Sequence, residues 1–201
     1  MSITEQTRRA STATEPRRRR WSAEEFHKVA GLGLFDGQRV ELIDGEILEM
    51  SPHGVAHATS IALVGQVLGR LVAEGAFVRP QLPLRLGETS EPEPDFAIVP
   101  GSPRDYAAAH PTSALLVVEV SDTTLASDRT RKASLYASAN IPEYWIVNLI
   151  DRQLEVFRQP IADAASPLDG RYDSFTVRKA DETIRPSFRP DQEIGVKDLL
   201  P

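Results

Sequence analysis

Leu115-Leu116-Val117-Val118-Glu119-Val120-Ser121 is the stretch on which the fold turns. A run of branched aliphatics this short and this continuous fits a strand buried on both faces, at the centre of a sheet. Glu119 lies inside it. A carboxylate flanked by valines is expensive to desolvate unless a cation or several donors meet it, so Glu119 needs a partner. Toward the N-terminus, Pro94 to Val99 and Phe77 to Leu86 read as two further strands, punctuated by prolines and Gly101. Asp95 stands at the front of the first, in Glu93-Pro94-Asp95-Phe96-Ala97-Ile98-Val99. Toward the C-terminus, Asp128 to Ala139 reads as a helix with Leu135 and Tyr136 turned inward, closed by Asn140 and the break at Pro142. Tyr144 to Leu149 is another buried strand, with Tyr144 and Trp145 as core residues, and Leu154 to Arg158 pairs with it through a turn at Asp151.

Farther out the signals are local. Ser22 and Glu25 have capping-box spacing for a helix over Ala23 to Ala30, ended by Gly31 and Gly33. Gly31-Leu32-Gly33 lacks the spacing of a phosphate-binding loop. Arg39 to Met50 alternates apolar and polar residues around Asp44-Gly45, which predicts a β-hairpin. Val55 to Gly75 keeps aliphatics at helical spacing, from Ile61 and Val64 to Leu71 and Val72, and is the main core helix, stopping at Gly75. Gln159 to Gly170 is a loop, Tyr172 to Arg178 an edge strand, and the C-terminus a polar segment. After the hairpin only two helices are available, too few to give every strand pair a parallel crossover. The expected class is therefore α/β (α+β): a central mixed β-sheet flanked by helices and preceded by a β-hairpin.

With 201 residues, 41% of them hydrophobic, the chain is long enough to bury one core. It has no cysteine, which excludes disulfides, thiolate zinc sites and cysteine nucleophiles. No stretch approaches the roughly 18 apolar residues of a membrane span, and no signal-peptide pattern is visible, so a cytoplasmic location is expected. The net charge is −6, but residues 1–20 carry six arginines against Glu5 and Glu15, a surplus of +4 that leaves −10 for the remainder. Residues 1–20 thus read as a disordered basic arm, solvated or gripping phosphate, ahead of a single domain over residues 21–201. An acidic body argues against a duplex-coating protein. It is compatible with an enzyme whose metal supplies local positive charge.

Two carboxylates on neighbouring strands, Asp95 and Glu119, suit a hard divalent cation such as Mg²⁺ or Mn²⁺, which keeps waters and leaves positions open for phosphate. His53 and His57 are four apart, but Pro52 and Gly54 disfavour one helix for both, so a two-histidine zinc site is a weak alternative.

The series "VELIDGEILEMSP", "HATSIALVGQVLGRL", "PEPDF", "LLVVEVSD" and "SDRTRKASLYASANIPEYWIVN" resembles the Uma-type restriction-endonuclease family, a branch of the PD-(D/E)XK nuclease superfamily. Single elements recur by chance; the ordered series is specific. The resemblance implies a mixed sheet flanked by helices, a metal on Asp95 and Glu119, and hydrolysis of nucleic-acid phosphodiesters. The superfamily's lysine should stand two residues after Glu119, where this chain has Ser121. In this branch the matching residue is Lys132, on the following helix, which would orient the attacking water or stabilise charge on the phosphate. From the residues alone, Lys132 is an exposed lysine paired with Asp128 at i, i+4. Glu41 matches an acidic hairpin position that could give the metal a third carboxylate, or it is a polar residue on the hairpin's outer face. His57 matches a histidine that could meet the phosphate or the metal, or it is a surface residue of the helix's first turn. "SDTT" after the strand, Asn140, and "IVNL" also depart from the family pattern, and none of them removes a ligand.

The expected function is hydrolysis of DNA by metal-activated water, with Asp95, Glu119, Lys132 and Glu41 as catalytic residues, no membrane partner, and a homodimer suited to cutting both strands. The rivals are a noncatalytic binding or assembly module on the same fold, and a hydrolase of another phosphodiester such as RNA.

Overall fold

The computed structural model describes residues 18–52, 54–72 and 74–201. Most of the basic arm and His53, with the two-histidine idea, lie outside them. Of the arm, Arg18, Arg19 and Arg20 lie against the body, where they pair with Glu46, Glu25 and Asp44.

The elements in chain order are α1 (Ala23–Ala30), the hairpin β1 (Val40–Ile43) and β2 (Glu46–Glu49), α2 (Val55–Leu71), β3 (Ala76–Pro80), β4 (Phe96–Pro100) and β5 (Leu116–Ser121). There follow α3 (Leu125–Ser127), a π-helical turn (Asp128–Lys132), α4 (Ala133–Ser138), β6 (Glu143–Asn148), β7 (Gln153–Ala162), β8 (Gly170–Lys179) and the short pair β9 (Thr183–Ile184) and β10 (Ile194–Gly195). The main sheet has six strands in the order β3-β4-β5-β6-β7-β8. Its β5/β6 pair is parallel and all the others antiparallel, because only there does a helical segment return the chain. The mixed sheet expected from the sequence is what forms.

Every residue of β5 and of β6 is buried, as a strand covered on both faces requires. On one face Val64 and Leu68 of α2 pack on Phe96, Ile98, Leu116, Val118 and Val120. On the other, Tyr136 and Ala137 of α4 pack on Ala97, Val99, Val117 and Ile146. Alternation along β5 therefore sends Val118 and Val120 toward α2, and Val117 and Glu119 toward α4.

Local signals held where they named a mechanism. The Ser22–Glu25 capping box forms in both directions. Asp44 and Gly45 both have positive φ, 52° and 72°, the requirement of the tight hairpin turn. β8 is the sheet edge, as expected for its sequence.

Boundaries shifted where tertiary contacts intervene. α2 ends at Leu71, short of Gly75: Val72 is extended, and the Leu71 carbonyl accepts from Arg189 Nη1 at 2.9 Å. The strand expected to run to Leu86 stops at Pro80, because Gln81 takes φ 47° and Pro83 has no N–H for a ladder. The chain beyond it pairs with the approach to β4, through Leu84 N–H to Pro92 O and Leu86 N–H to Ser90 O, each 2.9 Å. The C-terminal segment, read as polar, buries Ile184, Val196, Leu199 and Leu200 in the α2 core. Ser60 of α2 donates to the Leu199 carbonyl at 2.7 Å.

Candidate active site

β4 and β5 bring Asp95 and Glu119 together. Asp95 stands one residue ahead of β4, and its backbone N–H donates to Glu119 Oε2 at 3.3 Å. The Val120 N–H in turn donates to Asp95 Oδ2 at 2.8 Å. Both side chains are buried.

Lys132 reaches this pair. Its ammonium is 3.0 Å from Glu119 Oε1 and 3.4 Å from Glu41 Oε1, and it is buried rather than spread on the helix surface. The i, i+4 pairing with Asp128 is replaced by these two. The π turn makes the reach feasible: the Ala133 N–H bonds back to the Asp128 carbonyl, one residue farther than an α-helix would place it. Asp128 itself is fixed by Ser121 Oγ at 2.8 Å and Thr124 Oγ1 at 2.6 Å. Ser121, standing where the strand lysine was absent, thus anchors the turn that delivers Lys132.

Glu41 faces inward from β1 and accepts from the Glu93 N–H at 3.3 Å, so it belongs to the cluster and not to the hairpin's outer face. His57, in the first turn of α2, is buried with Nε2 3.6 Å from Asp95 Oδ2. Tyr136 is a core residue as its sequence context predicts, but it is also a contact of the cluster that this context did not point to: its hydroxyl donates to Glu119 Oε1 at 2.7 Å. The signal was its place four residues after Lys132, on the same helix face.

Lys132 thus contacts Glu119 and Glu41, with Asp128 and Asp95 as further carboxylates in the same cluster. Burial pushes Glu119 up to about 8 against the pull of Lys132, with Asp95, Asp128 and Glu41 adding to the rise. Burial opposes the charge on Lys132, but Glu119, Glu41 and Asp128 outweigh it and hold the ammonium above its usual range. With Glu119, Glu41 and Asp128 near it, Lys132 keeps its proton even when one of these carboxyls is neutral. At Asp95 burial works against the charge, yet His57 and the Val120 amide hold the carboxyl below its ordinary value. Burial lifts the Tyr136 phenol well above its own, so it remains a donor.

Hard oxygen donors with surplus negative charge fit a divalent cation of the Mg²⁺ class. Asp95, Glu119 and Glu41 supply such oxygens, with the Lys132 ammonium within 3.4 Å of both Glu119 and Glu41.

A mixed sheet that brings two acids and a lysine together between flanking helices defines the class: a restriction-endonuclease-like fold. Residues 23–192 match the model of the Uma2 family, described as "Putative restriction endonuclease", and the chain belongs to that family. It is similar to the crystal structure of a "putative nuclease belonging to DUF820" from Anabaena variabilis, with a TM-score of 0.66 and 16% identity over 89% of this chain and 96% of that one. No curated protein matches it.

Proposed function

We propose that the chain is a metal-dependent endonuclease that hydrolyses DNA phosphodiester bonds, with Mg²⁺ or Mn²⁺ on Asp95 and Glu119. The observation that carries this reading is the return of the Lys132 ammonium from a helix to within 3.0 Å of Glu119. It puts a fixed cation beside the carboxylate pair without the strand lysine. A cation held there would polarise the phosphate and lower the pKa of a bound water. Lys132 orients that water or meets charge growing on the phosphate. Tyr136 and the Asp95 amide fix the rotamer of Glu119, while His57 and the Val120 amide fix that of Asp95. Glu41 holds Lys132 from the opposite side.

The test is incubation of the full chain with supercoiled plasmid, single-stranded DNA and RNA, in Mg²⁺, Mn²⁺ or EDTA, beside Asp95→Ala and Glu119→Ala. Cleavage of DNA that needs the metal and both carboxylates is expected. Cleavage surviving EDTA or either substitution overturns the metal site, and cleavage confined to RNA overturns the substrate.

A further inference from the structure

His27, Glu91 and His110 come from three distant parts of the chain: α1, the segment bridged to β1, and the loop between β4 and β5. Each offers a ligand atom, and these atoms all lie within 4.8 Å of one another. Among the described residues no other three histidine or carboxylate side chains do so. We propose that these three residues form a second metal site, for a transition metal of the zinc class, distinct from the Asp95–Glu119 pair.

The donor set sets the class of ion. Two imidazoles and one carboxylate suit Zn²⁺ or a neighbouring transition metal, whereas Mg²⁺ prefers oxygen alone. Three protein ligands leave a fourth position for water.

A buried carboxylate oxygen of this cluster makes no hydrogen bond. Glu91 is 2% exposed, and its Oε2 has no hydrogen-bond partner. The nearest cation to it, Arg85 Nη1, stands at 3.5 Å. Its other oxygen is 2.8 Å from His27 Nε2. Zinc bonds of about 2.1 Å at tetrahedral angles separate ligand atoms by about 3.4 Å, a spacing inside the 4.8 Å span of these three. Access exists, because His27 and Glu91 line a cleft of about 350 Å³ together with Phe26, Phe35, Arg39 and Glu93.

Arg79 is the competitor. Its Nη2 lies 2.9 Å from His110 Nδ1 and occupies the acceptor nitrogen of the ring. Binding of a metal gives up this contact and ties α1 to the segment that runs on to Asp95.

The test uses the full chain carrying Asp95→Ala and Glu119→Ala, so that the carboxylate pair cannot bind. Co²⁺ is added and followed by visible absorption, with Zn²⁺ as competitor and circular dichroism to check folding. One equivalent of Co²⁺ with the strong bands of a four- or five-coordinate ion, displaced by Zn²⁺, is expected. His110→Ala and Glu91→Gln should weaken it more than about tenfold, since loss of a ligand must cost at least what loss of a ligand's supporting hydrogen bond does. His27→Gln, at a half-exposed side chain, carries the test if a buried variant does not fold. Arg79→Met should tighten binding by removing the competitor. No stoichiometric binding, or binding unchanged in His27→Gln, overturns the site.

Discussion

Glu119, Glu143 and Glu155 are all buried strand carboxylates, and what meets each one distinguishes them. Glu143 accepts from Trp145, Arg158 and the Ser187 amide, and Glu155 from Arg129, Asn148 and Gln153, so both are satisfied structural acids. Glu119 also meets three donors, Lys132, Tyr136 and the Asp95 amide, but it differs in sharing its one cation with Glu41 while a further carboxylate, Asp95, stands beside it. Lys132→Met should abolish cleavage and, with buried carboxylates left uncompensated, cost roughly 3–5 kcal/mol in EDTA by denaturant unfolding. Because the folded Glu119 carboxyl is raised to about 8, its contribution to stability is full below the ordinary carboxylate range and is lost as pH climbs toward 8. Glu119→Gln should therefore melt above the parent in EDTA, with a gap that opens from about pH 5 to pH 8. A gap independent of pH would refute that assignment. The cost of a charged residue among valines made Glu119 visible in the sequence, but the same signal is compatible with the structural roles of Glu143 and Glu155. Lys132 was legible only through family resemblance, because its partners lie in other elements and no local period encodes them.

At the scale of the element, the sequence pattern gives one plain helix over Asp128 to Ala139, whereas a separate α3 precedes it and its first residues form the π turn that brings Lys132 to Glu119. The π turn depends on Asp128 being gripped from β5 and α3, a contact that no helical pattern announces. The hairpin and the α1 cap were legible because their signals are complete within a few residues. α4 is seated by a close approach of β8. A Cβ on Gly170 would fall 2.3 Å from the Ser138 nitrogen and 2.9 Å from the Ala137 carbonyl carbon, both backbone atoms that cannot yield alone. Gly170→Ala should thus lever α4 off the sheet, destabilise by about 1–3 kcal/mol in denaturant, and reduce cleavage beyond the loss of folded protein.

For the whole molecule, the sheet class followed from counting helices against strands, while the last twenty residues were misjudged. Their apolar residues are too sparse for a periodic signal, yet Val196, Leu199 and Leu200 close the α2 face. A chain ending at Gly195 should lose cooperativity in thermal unfolding or melt at least about 10 °C lower, since several buried side chains and the Ser60 acceptor leave together. Among the described residues no helix is long and apolar enough to cross a membrane.

The π turn also governs which changes this protein can tolerate. Asp128 is clamped upstream and Lys132 is aimed downstream, and each helical residue turns the chain by about 100°. Between them, exposed Thr130 is open to many side chains, whereas Arg131 is held by the Ile43 carbonyl and Glu46. Removing either residue would swing the lysine away from Glu119. This stretch can drift in spelling but not in length.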